Sequence, residues 1–360
     1  MSRELRLAVV GVGRIGLFHA RHLIELAEER GDCRLVAVAD RHERTAADVA
    51  ERLVRSGAEP IASFTSPEAL VESGIADAAI VASRTADHLR DTRTLVEGGL
   101  RVMLEKPLAS TFDEAEAFGA WLDADTARSR SVMLAFQRRY DPAMLRAEAL
   151  LREGAIGELF KIMSALEDPG PPPQGYESSG LLVDMGVHNA DEIVWLAGRT
   201  PTAVAGFGGR VHNQRIEGVA AEEHDDAFVQ IWLGDDVVAQ LQVSRNHVAG
   251  YRNECVLLGR EGRIHVGHFE GDAGRVRLEA YGPDHTRIEQ RWFDLRDWNE
   301  PVPPFIQRFE PAYMAEAADF VQRCIDGSPF SVTHREGLIA MRVVSAGAEA
   351  IATGTRVELS

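Results

Sequence analysis

The N-terminal third of the chain alternates short apolar runs with segments whose apolar residues recur three or four positions apart. The apolar runs are residues 5–10, 35–39, 78–82 and 102–104. The segments with helical spacing are residues 17–29, 45–55, 85–97 and 111–122, and Gly31, Gly57 and Gly98-Gly99 follow three of them as helix stops. Strands buried on both faces read as nearly continuous apolar runs, and their alternation with helices is typical of a parallel sheet. This region is therefore predicted to be a doubly wound, parallel α/β domain.

The pattern changes after a further apolar run at residues 132–136. A helix over 142–152 leads into longer strands in which apolar and polar residues alternate, and residues 227–233 and 237–243 flank Gly234-Asp235-Asp236 as a hairpin. Two helices, over roughly 304–326 and 333–352, end the chain. We predict domains at 1–128 and 129–360, the second an α/β domain with a mostly antiparallel sheet, and allow that the C-terminal helices pack back on the first.

Composition excludes several classes of protein. With 45% hydrophobic and 26% charged residues, the 360-residue chain leaves no room for a long disordered region. No apolar run approaches the roughly twenty residues of a membrane span, and the N-terminus lacks the pattern of a secretory signal, so we expect a cytoplasmic protein. A net charge of −17 argues against nucleic acid as a partner. The three cysteines are far apart, which predicts neither a disulfide framework nor a metal site.

A glycine motif directly follows the first apolar run. Gly11, Gly13 and Gly16 enclose Val12, Arg14 and Ile15, and a helix begins there. Such glycines permit a tight turn and close approach to a pyrophosphate, which the free amides of the helix N-terminus attract. The second apolar run ends at Asp40, where a carboxylate can accept both hydroxyls of an adenosine ribose and repel a 2′-phosphate. The sequence therefore predicts NAD as cofactor, while Arg41, with Arg44 nearby, leaves use of NADP open.

A second candidate site is Asp184, His188 and Asp191, which fall on one face of a predicted helix at positions i, i+4 and i+7. A carboxylate that orients a histidine produces a general base for a hydroxyl proton. Taken alone, the pattern favours a simpler interpretation, namely a helix N-cap aspartate and a satisfied surface histidine.

Lysine usage draws attention to one position. Of the 39 basic residues only Lys106 and Lys161 are lysines, and Lys106 follows a buried apolar run within Glu105-Lys106-Pro107. A compact ammonium offers a shiftable pKa that guanidinium does not. Chance is the alternative explanation, because Lys161 looks like an ordinary strand residue.

Together, these motifs resemble those of the Gfo/Idh/MocA oxidoreductases, and the resemblance spans nearly the whole chain. It rests on the glycine loop, Glu105-Lys106-Pro107, residues 83–88, Asp184-x-x-x-His188 and Glu336-Gly337-Leu338. The most similar members are inositol 2-dehydrogenases, through residues 136–141, residues 168–173, Ser244-Arg245 and Gly250-Tyr251. It implies a Rossmann domain, a second α/β domain with a large open sheet, and a homotetramer or homodimer formed through that sheet.

The resemblance also implies site roles. Lys106 holds the reacting hydroxyl, His188 takes its proton, Asp184 orients His188, and the hydride passes to nicotinamide. It adds Ser83, Arg84, His88 and Glu105 to the cofactor site, and Gln137, Arg138 and Asn189 to the substrate site. His88 fits helix packing equally well, and Arg138 fits a structural cation equally well.

Two departures from the inositol dehydrogenases bear on the substrate. The chain has Asn189 where those enzymes typically have aspartate, and Arg84 where many relatives have proline. The alternatives are a dehydrogenase or reductase for another pyranose or keto sugar, an NAD-dependent glycosidase of the same superfamily, and a non-catalytic NAD-binding regulator. The first choice is oxidation of a ring hydroxyl of myo-inositol or a related inositol.

Overall fold

The computed structural model describes residues 4–171, 179–210, 224–267 and 274–359. The chain divides into two compact units. The first comprises the chain up to Phe136 and the segment Tyr313–Leu338, and the second comprises Gln137–Ala312 and the chain from Ile339 onward. The first unit thus runs past the boundary predicted at residue 128. Within residues 168–173, one of the stretches on which the resemblance rests, residues 172 and 173 lie outside the described residues.

The first unit contains a six-stranded sheet in which every described pairing is parallel. Its strands are β1 (Leu5–Val10), β2 (Cys33–Ala39), β3 (Ala62–Phe64), β4 (Ala78–Val81), β5 (Arg101–Glu105) and β6 (Val132–Ala135), in the order β3-β2-β1-β4-β5-β6. The connecting helices are α1 (Arg14–Arg30), α2 (Glu43–Arg55), α3 (Pro67–Ser73), α4 (His88–Glu97), α5 (Phe112–Asp123) and α6 (Thr126–Ser129). Because β6 pairs with β5, the first unit extends to Phe136.

The apolar runs became strands because they are buried on both faces. In β4 and β6 every residue is buried, and in β1 only Arg6 is not. The predicted stop after α1 is Gly31, which adopts a left-handed conformation (φ 70°) that costs glycine little. Where the order reverses, between β1 and β4, the loops at the carboxyl edge diverge and leave the crevice in which such sheets bind ligands.

The second unit contains a nine-stranded sheet whose described pairings are antiparallel, except for that of β7 with β10. Its strands are β7 (Leu159–Glu167), β8 (Pro201–Gly209), β9 (Asp226–Leu233), β10 (Val237–Ser244), β11 (Arg252–Gly259), β12 (Gly262–Gly267), β13 (Arg275–Tyr281), β14 (Arg287–Asp294) and β15 (Val357–Glu358). Their order is β14-β13-β12-β11-β7-β10-β9-β8-β15. The predicted hairpin is β9 and β10, in which Leu233 pairs with Val237.

The remaining helices are α7 (Pro142–Arg152), α8 (Val187–Ala197), α9 (Pro304–Asp326) and α10 (His334–Thr353). The division between the units falls within α9 and within α10. A π-helical turn, Leu182–Gly186, directly precedes α8. The segment with the predicted i, i+4 spacing of Asp184 and His188 therefore begins in a wider turn than an α-helix, a feature often found at functional sites.

Candidate active site

The glycine loop lies between β1 and α1 and is built for close backbone contact. Gly11 has a φ of +81°, and its N–H donates to the carbonyl of Ala39 over 2.8 Å. A Cβ at Gly11 would lie 2.4 Å from the backbone nitrogen of Ser83, and one at Gly16 would lie 1.8 Å from the carbonyl oxygen of Gly11. Both positions accept only glycine, because the backbone already occupies the space of a side chain.

The N-terminus of α1 is open. Gly13 is its N-cap residue; among the described residues no side chain caps it, and a Cβ placed there would meet none of their atoms within 4 Å. Arg14 and Ile15 begin the helix, with Arg14 exposed and Ile15 half-buried. An uncapped helix start beneath open space has amides and a positive dipole end available for an anion, which fits the pyrophosphate of NAD.

Asp40 follows β2 and bridges two loops. Its Oδ2 accepts from the N–H of Val12 over 3.1 Å, and its Oδ1 accepts from the N–H of His42 over 2.9 Å. A carboxylate has about four acceptor sites, so both oxygens retain capacity for ribose hydroxyls. Asp40, the residue predicted to bind the ribose, therefore lies beside the glycine loop.

Two predicted cofactor residues, Arg41 and Arg84, converge on Asp87. Arg41 Nη1 lies 3.9 Å and Arg84 Nε lies 3.5 Å from Asp87 Oδ2, while Arg90 Nη1 lies 3.1 Å from Oδ1. Both Arg41 and Arg84 are about half exposed, at 49% and 42%. The sequence did not single out Asp87, which links the loop after β2 to the loop after β4.

His88 is buried and contacts two backbone carbonyls. Its Nδ1 lies 2.9 Å from the oxygen of Pro107, and its Nε2 lies 3.0 Å from the oxygen of Ser83. Burial lowers the pKa of His88, against the opposing effect of the Pro107 carbonyl. A neutral imidazole has one N–H, so the ring lies between the loop after β4 and the turn after β5 and donates to one of these two carbonyls at a time.

That turn carries Lys106. The peptide bond between Lys106 and Pro107 is cis. Glu105 ends β5 and is buried, its Oε2 accepts from the N–H of Lys106 over 3.1 Å, and its Oε1 lies 2.8 Å from His19 Nε2. Although burial alone would raise the pKa of Glu105, the hydrogen bond with His19 and nearby positive charge hold it below its ordinary value. His19, on α1, was not found from the sequence.

The second unit holds Asp184 and His188, both buried. Asp184 Oδ2 accepts from Nη2 of the buried Arg245 over 3.1 Å, and Oδ1 accepts from the N–H of Ser179 over 3.0 Å. The carboxylate is therefore fixed from two sides. Arg245 belongs to a motif on which the resemblance rests, but no sequence pattern pairs it with Asp184.

Asp191, the third residue of the predicted face, has its own cationic partner. Arg139 donates to both its carboxylate oxygens, from Nε over 2.9 Å and from Nη2 over 2.7 Å. Such a bidentate pair holds both side chains in one geometry.

The predicted substrate residues Arg138 and Asn189 lie in a buried polar network. Arg138 is 2% exposed, and its Nη1 donates to Glu192 Oε2 over 3.0 Å. Ser164 Oγ donates to Glu192 Oε1 over 2.7 Å and accepts from the amide of Asn189 over 2.7 Å. Gln137, in a 3₁₀ turn after β6, is also buried. The network favours a structural role for at least one guanidinium nitrogen of Arg138.

Tyr251 adds a phenol to the same unit. Burial raises its pKa well above the ordinary value, and the positive charge of Arg138 acts in the opposite direction. Both residues belong to motifs on which the inositol dehydrogenase resemblance rests.

Among the described residues, no group of three or more histidine, cysteine or acidic side chains is arranged to hold a metal ion. In the same part of the chain, no helix is long and apolar enough to cross a membrane.

Known proteins match both parts of the chain. Residues 5–135 match the oxidoreductase family with an NAD-binding Rossmann fold, and residues 144–265 match the GFO/IDH/MocA C-terminal domain. The scyllo-inositol 2-dehydrogenase (NAD(+)) of Bacillus subtilis is 28% identical over 363 residues, covering 100% of this chain and 97% of that protein. The myo-inositol 2-dehydrogenase of Thermotoga maritima is 25% identical over 340 residues, covering 94% of this chain and 93% of that protein.

A solved structure has the same fold. A myo-inositol dehydrogenase from Corynebacterium glutamicum matches with a TM-score of 0.81 and 25% identity, covering 99% of both chains. The predicted fold class, family and cofactor NAD are thereby confirmed. The chain belongs to the GFO/IDH/MocA family of oxidoreductases and is an NAD-dependent enzyme that acts on CH–OH groups.

Proposed function

We propose that this enzyme oxidises one ring hydroxyl of a cyclic polyol, with myo-inositol or a related inositol as first choice, to the ketone. The inositol 2-dehydrogenases that it resembles align over nearly its whole length. The observation that carries the proposal is the placement of Lys106 at the carboxyl edge of the NAD-binding sheet, on a turn fixed by Glu105. A lysine in that position can meet a substrate hydroxyl beside the cofactor.

The proposed chemistry divides between two sets of side chains. Lys106 donates a hydrogen bond to the reacting hydroxyl and favours its alkoxide form. His188 takes the hydroxyl proton, and Asp184, held by Arg245, orients His188. NAD, when bound, supplies the acceptor for the hydride.

The proposed cofactor contacts surround the crevice between β1 and β4. Asp40 binds the adenosine ribose, as its position beside Val12 supports. The backbone at the start of α1 binds the pyrophosphate. The complete proposed set is Gly11, Gly13, Arg14, Ile15, Gly16, Asp40, Arg41, Ser83, Arg84, His88 and Glu105.

Gln137, Arg138 and Asn189 are proposed to contact the substrate. For Arg138 the support is its Nε and Nη2, which have no hydrogen-bond partner among the described residues although both are buried. The Oδ1 of Asn189 is likewise buried without such a partner within the described segments. Buried polar atoms normally find partners, and substrate hydroxyls supply them here.

Asn189 also favours a second candidate, a dehydrogenase for another pyranose. Inositol dehydrogenases typically carry aspartate at this position, and the amide of Asn189 does not supply the negative charge of that carboxylate. A neutral side chain is expected to favour a sugar whose hydroxyls need both a donor and an acceptor.

A substrate panel assayed with NAD and with NADP tests the proposal. The purified enzyme is incubated with myo-inositol, scyllo-inositol, glucose and galactose, and NADH formation is followed by absorbance. Turnover highest on an inositol supports the first choice, and turnover highest on a pyranose supports the second. No net NADH with any of these, together with cleavage of a glycoside in the presence of NAD, would refute both and indicate a glycosidase.

The predicted homotetramer or homodimer and the cytoplasmic location stay predictions. Light scattering of the purified protein measures the oligomeric state directly.

A further inference from the structure

Both neighbours of Lys106 in the chain lie against buried histidines. On one side, His19 Nε2 lies 2.8 Å from Glu105 Oε1, and the other oxygen of Glu105 accepts from the Lys106 N–H. On the other side, His88 Nδ1 lies 2.9 Å from the carbonyl oxygen of Pro107. These contacts come from α1 and α4, which belong to the same unit as Lys106.

In the hydrogen bond between His19 and Glu105, the histidine donates and the carboxylate accepts. Glu105 is held as a carboxylate, which only accepts, so Nε2 of His19 must carry the proton and donate it. The His19 Nδ1 has no hydrogen-bond partner in the described part of the chain. The ring is 1% exposed and packs edge to face on Tyr313, with centroids 5.8 Å apart. His19 therefore presents one N–H to Glu105 from a fixed position.

We infer that His19 is a positioning residue for Lys106 and acts through the Glu105 carboxylate. The inference rests on the proposed role of Lys106 in oxidising a substrate hydroxyl. A lysine ammonium sits at the end of a flexible stem, so its placement depends on the peptide unit that carries it. Glu105 anchors that peptide through the Lys106 N–H, and His19 anchors Glu105.

The alternative is that His19 merely fills space beneath the turn. In that case its loss lowers stability but leaves the environment of Lys106 unchanged in the folded protein. The two possibilities differ in a spectroscopic signal that needs no substrate.

The chain has only two lysines, which makes such a signal simple to obtain. Reductive methylation with ¹³C-formaldehyde labels Lys106, Lys161 and the N-terminal amine, and Lys161→Arg assigns the remaining lysine resonance. We expect His19→Leu to shift or broaden the Lys106 resonance in protein that remains folded by circular dichroism. His22→Leu, one turn further along α1, is the matched control and should leave that resonance in place.

Two further variants preserve the test if His19→Leu does not fold. His19→Gln places an amide N–H near the original Nε2 and should retain the parental resonance. His19→Asn keeps the same chemistry but is too short to reach Glu105, so it should shift the resonance as His19→Leu does. A parental Lys106 resonance in folded His19→Asn would overturn the inference.

Kinetics of unlabelled enzyme provides the second readout. Misplacing a reacting group by about 1 Å costs roughly 10²-fold, so kcat in His19→Asn should fall by about that factor while KM for NAD stays near the parental value. In a Glu105→Gln background the same substitution should add little, because the two residues act as one unit. Losses that multiply in the double variant would contradict action through Glu105. If the parent oxidises no cyclic polyol or pyranose, the proposed function fails, and the resonance of Lys106 still decides whether His19 positions that lysine.

Discussion

Replacing Gly16 by alanine should damage both folding and cofactor binding, and the structure gives the size of the steric conflict. An ideal Cβ at Gly16 would lie 1.8 Å from the carbonyl oxygen of Gly11 and 2.9 Å from its carbonyl carbon. Both are backbone atoms, so no side chain can rotate away. The loop or α1 must move by roughly 1 Å, and such overpacking typically costs about 1–3 kcal/mol.

The same displacement moves the amides at the start of α1. Hydrogen bonds to charged groups contribute about 1.5–3 kcal/mol each, so spoiling one pyrophosphate contact raises the Kd for NAD by roughly 10- to 150-fold. We therefore expect Gly16→Ala to lower both the free energy of unfolding and the affinity for NAD.

Two other glycines separate these effects. A Cβ at Gly13 would meet no atom of the described segments within 4 Å, and its φ of −66° suits any residue. Gly13→Ala should leave stability unchanged or raise it by up to about 1 kcal/mol, yet weaken NAD binding because the methyl group enters the proposed pyrophosphate space. Gly31 has a φ of +70° with open space around it, so Gly31→Ala should cost about 1 kcal/mol of stability without changing NAD affinity.

Urea denaturation and titration calorimetry with NAD measure the two quantities independently. Parental stability in Gly16→Ala would refute the close approach of α1 to the glycine loop. Parental NAD affinity in Gly13→Ala would refute binding of the pyrophosphate over the start of α1.

Three further substitutions and one control test the remaining parts of the site. Lys106→Arg keeps the charge but should lower kcat by about 10²-fold, because a planar guanidinium misplaces the substrate hydroxyl. Lys161→Arg is the control and should have the kcat of the parent enzyme. Steady-state kinetics on the best substrate measures both variants. Arg245→Met removes the guanidinium that donates to the buried Asp184 carboxylate and should lower the free energy of unfolding by about 3–5 kcal/mol in denaturant titrations, so an unchanged midpoint would contradict the importance of the pair. Asp40→Ala removes the carboxylate that repels a 2′-phosphate, and the ratio of kcat/KM for NAD over NADP should fall by about tenfold or more; a parent enzyme that already prefers NADP would contradict this role.

Much of the fold could be predicted because its strands and helices carry strong local patterns. The strands β1 and β10 match the predicted runs to within a residue, and α7 matches at both ends. The prediction missed β3, which has only three residues, two of them exposed, and therefore no apolar run. The sequence could not assign β6 to a sheet, since only its pairing with β5 shows that it belongs to the first unit, which continues past residue 128 to Phe136.

Sequence motifs suggested the candidate site residues, but they did not indicate which residues contact them. Glu192 and Arg138 are 54 positions apart, and Glu105 and His19 are 86 apart. Periodicity reports the burial of one residue at a time, whereas an ionic or hydrogen-bonded role requires a second residue brought in by the fold. The π-helical turn before α8 was likewise invisible, because Leu182–Gly186 reads as ordinary apolar helix.

His19 nevertheless carried a signal that the sequence could have revealed. It lies on the face of α1 that also buries Ala20 and Leu23, where a polar ring is costly unless it has a partner. A buried histidine beside a glycine loop therefore demands an acceptor, and the acidic residue at the end of a neighbouring central strand is a natural candidate. Lys106 was conspicuous because lysine is rare in this chain, but its rarity does not indicate which residues position its side chain. The position of His19 on an apolar helix face is a stronger indication than the rarity of Lys106, because a buried polar ring requires a defined contact.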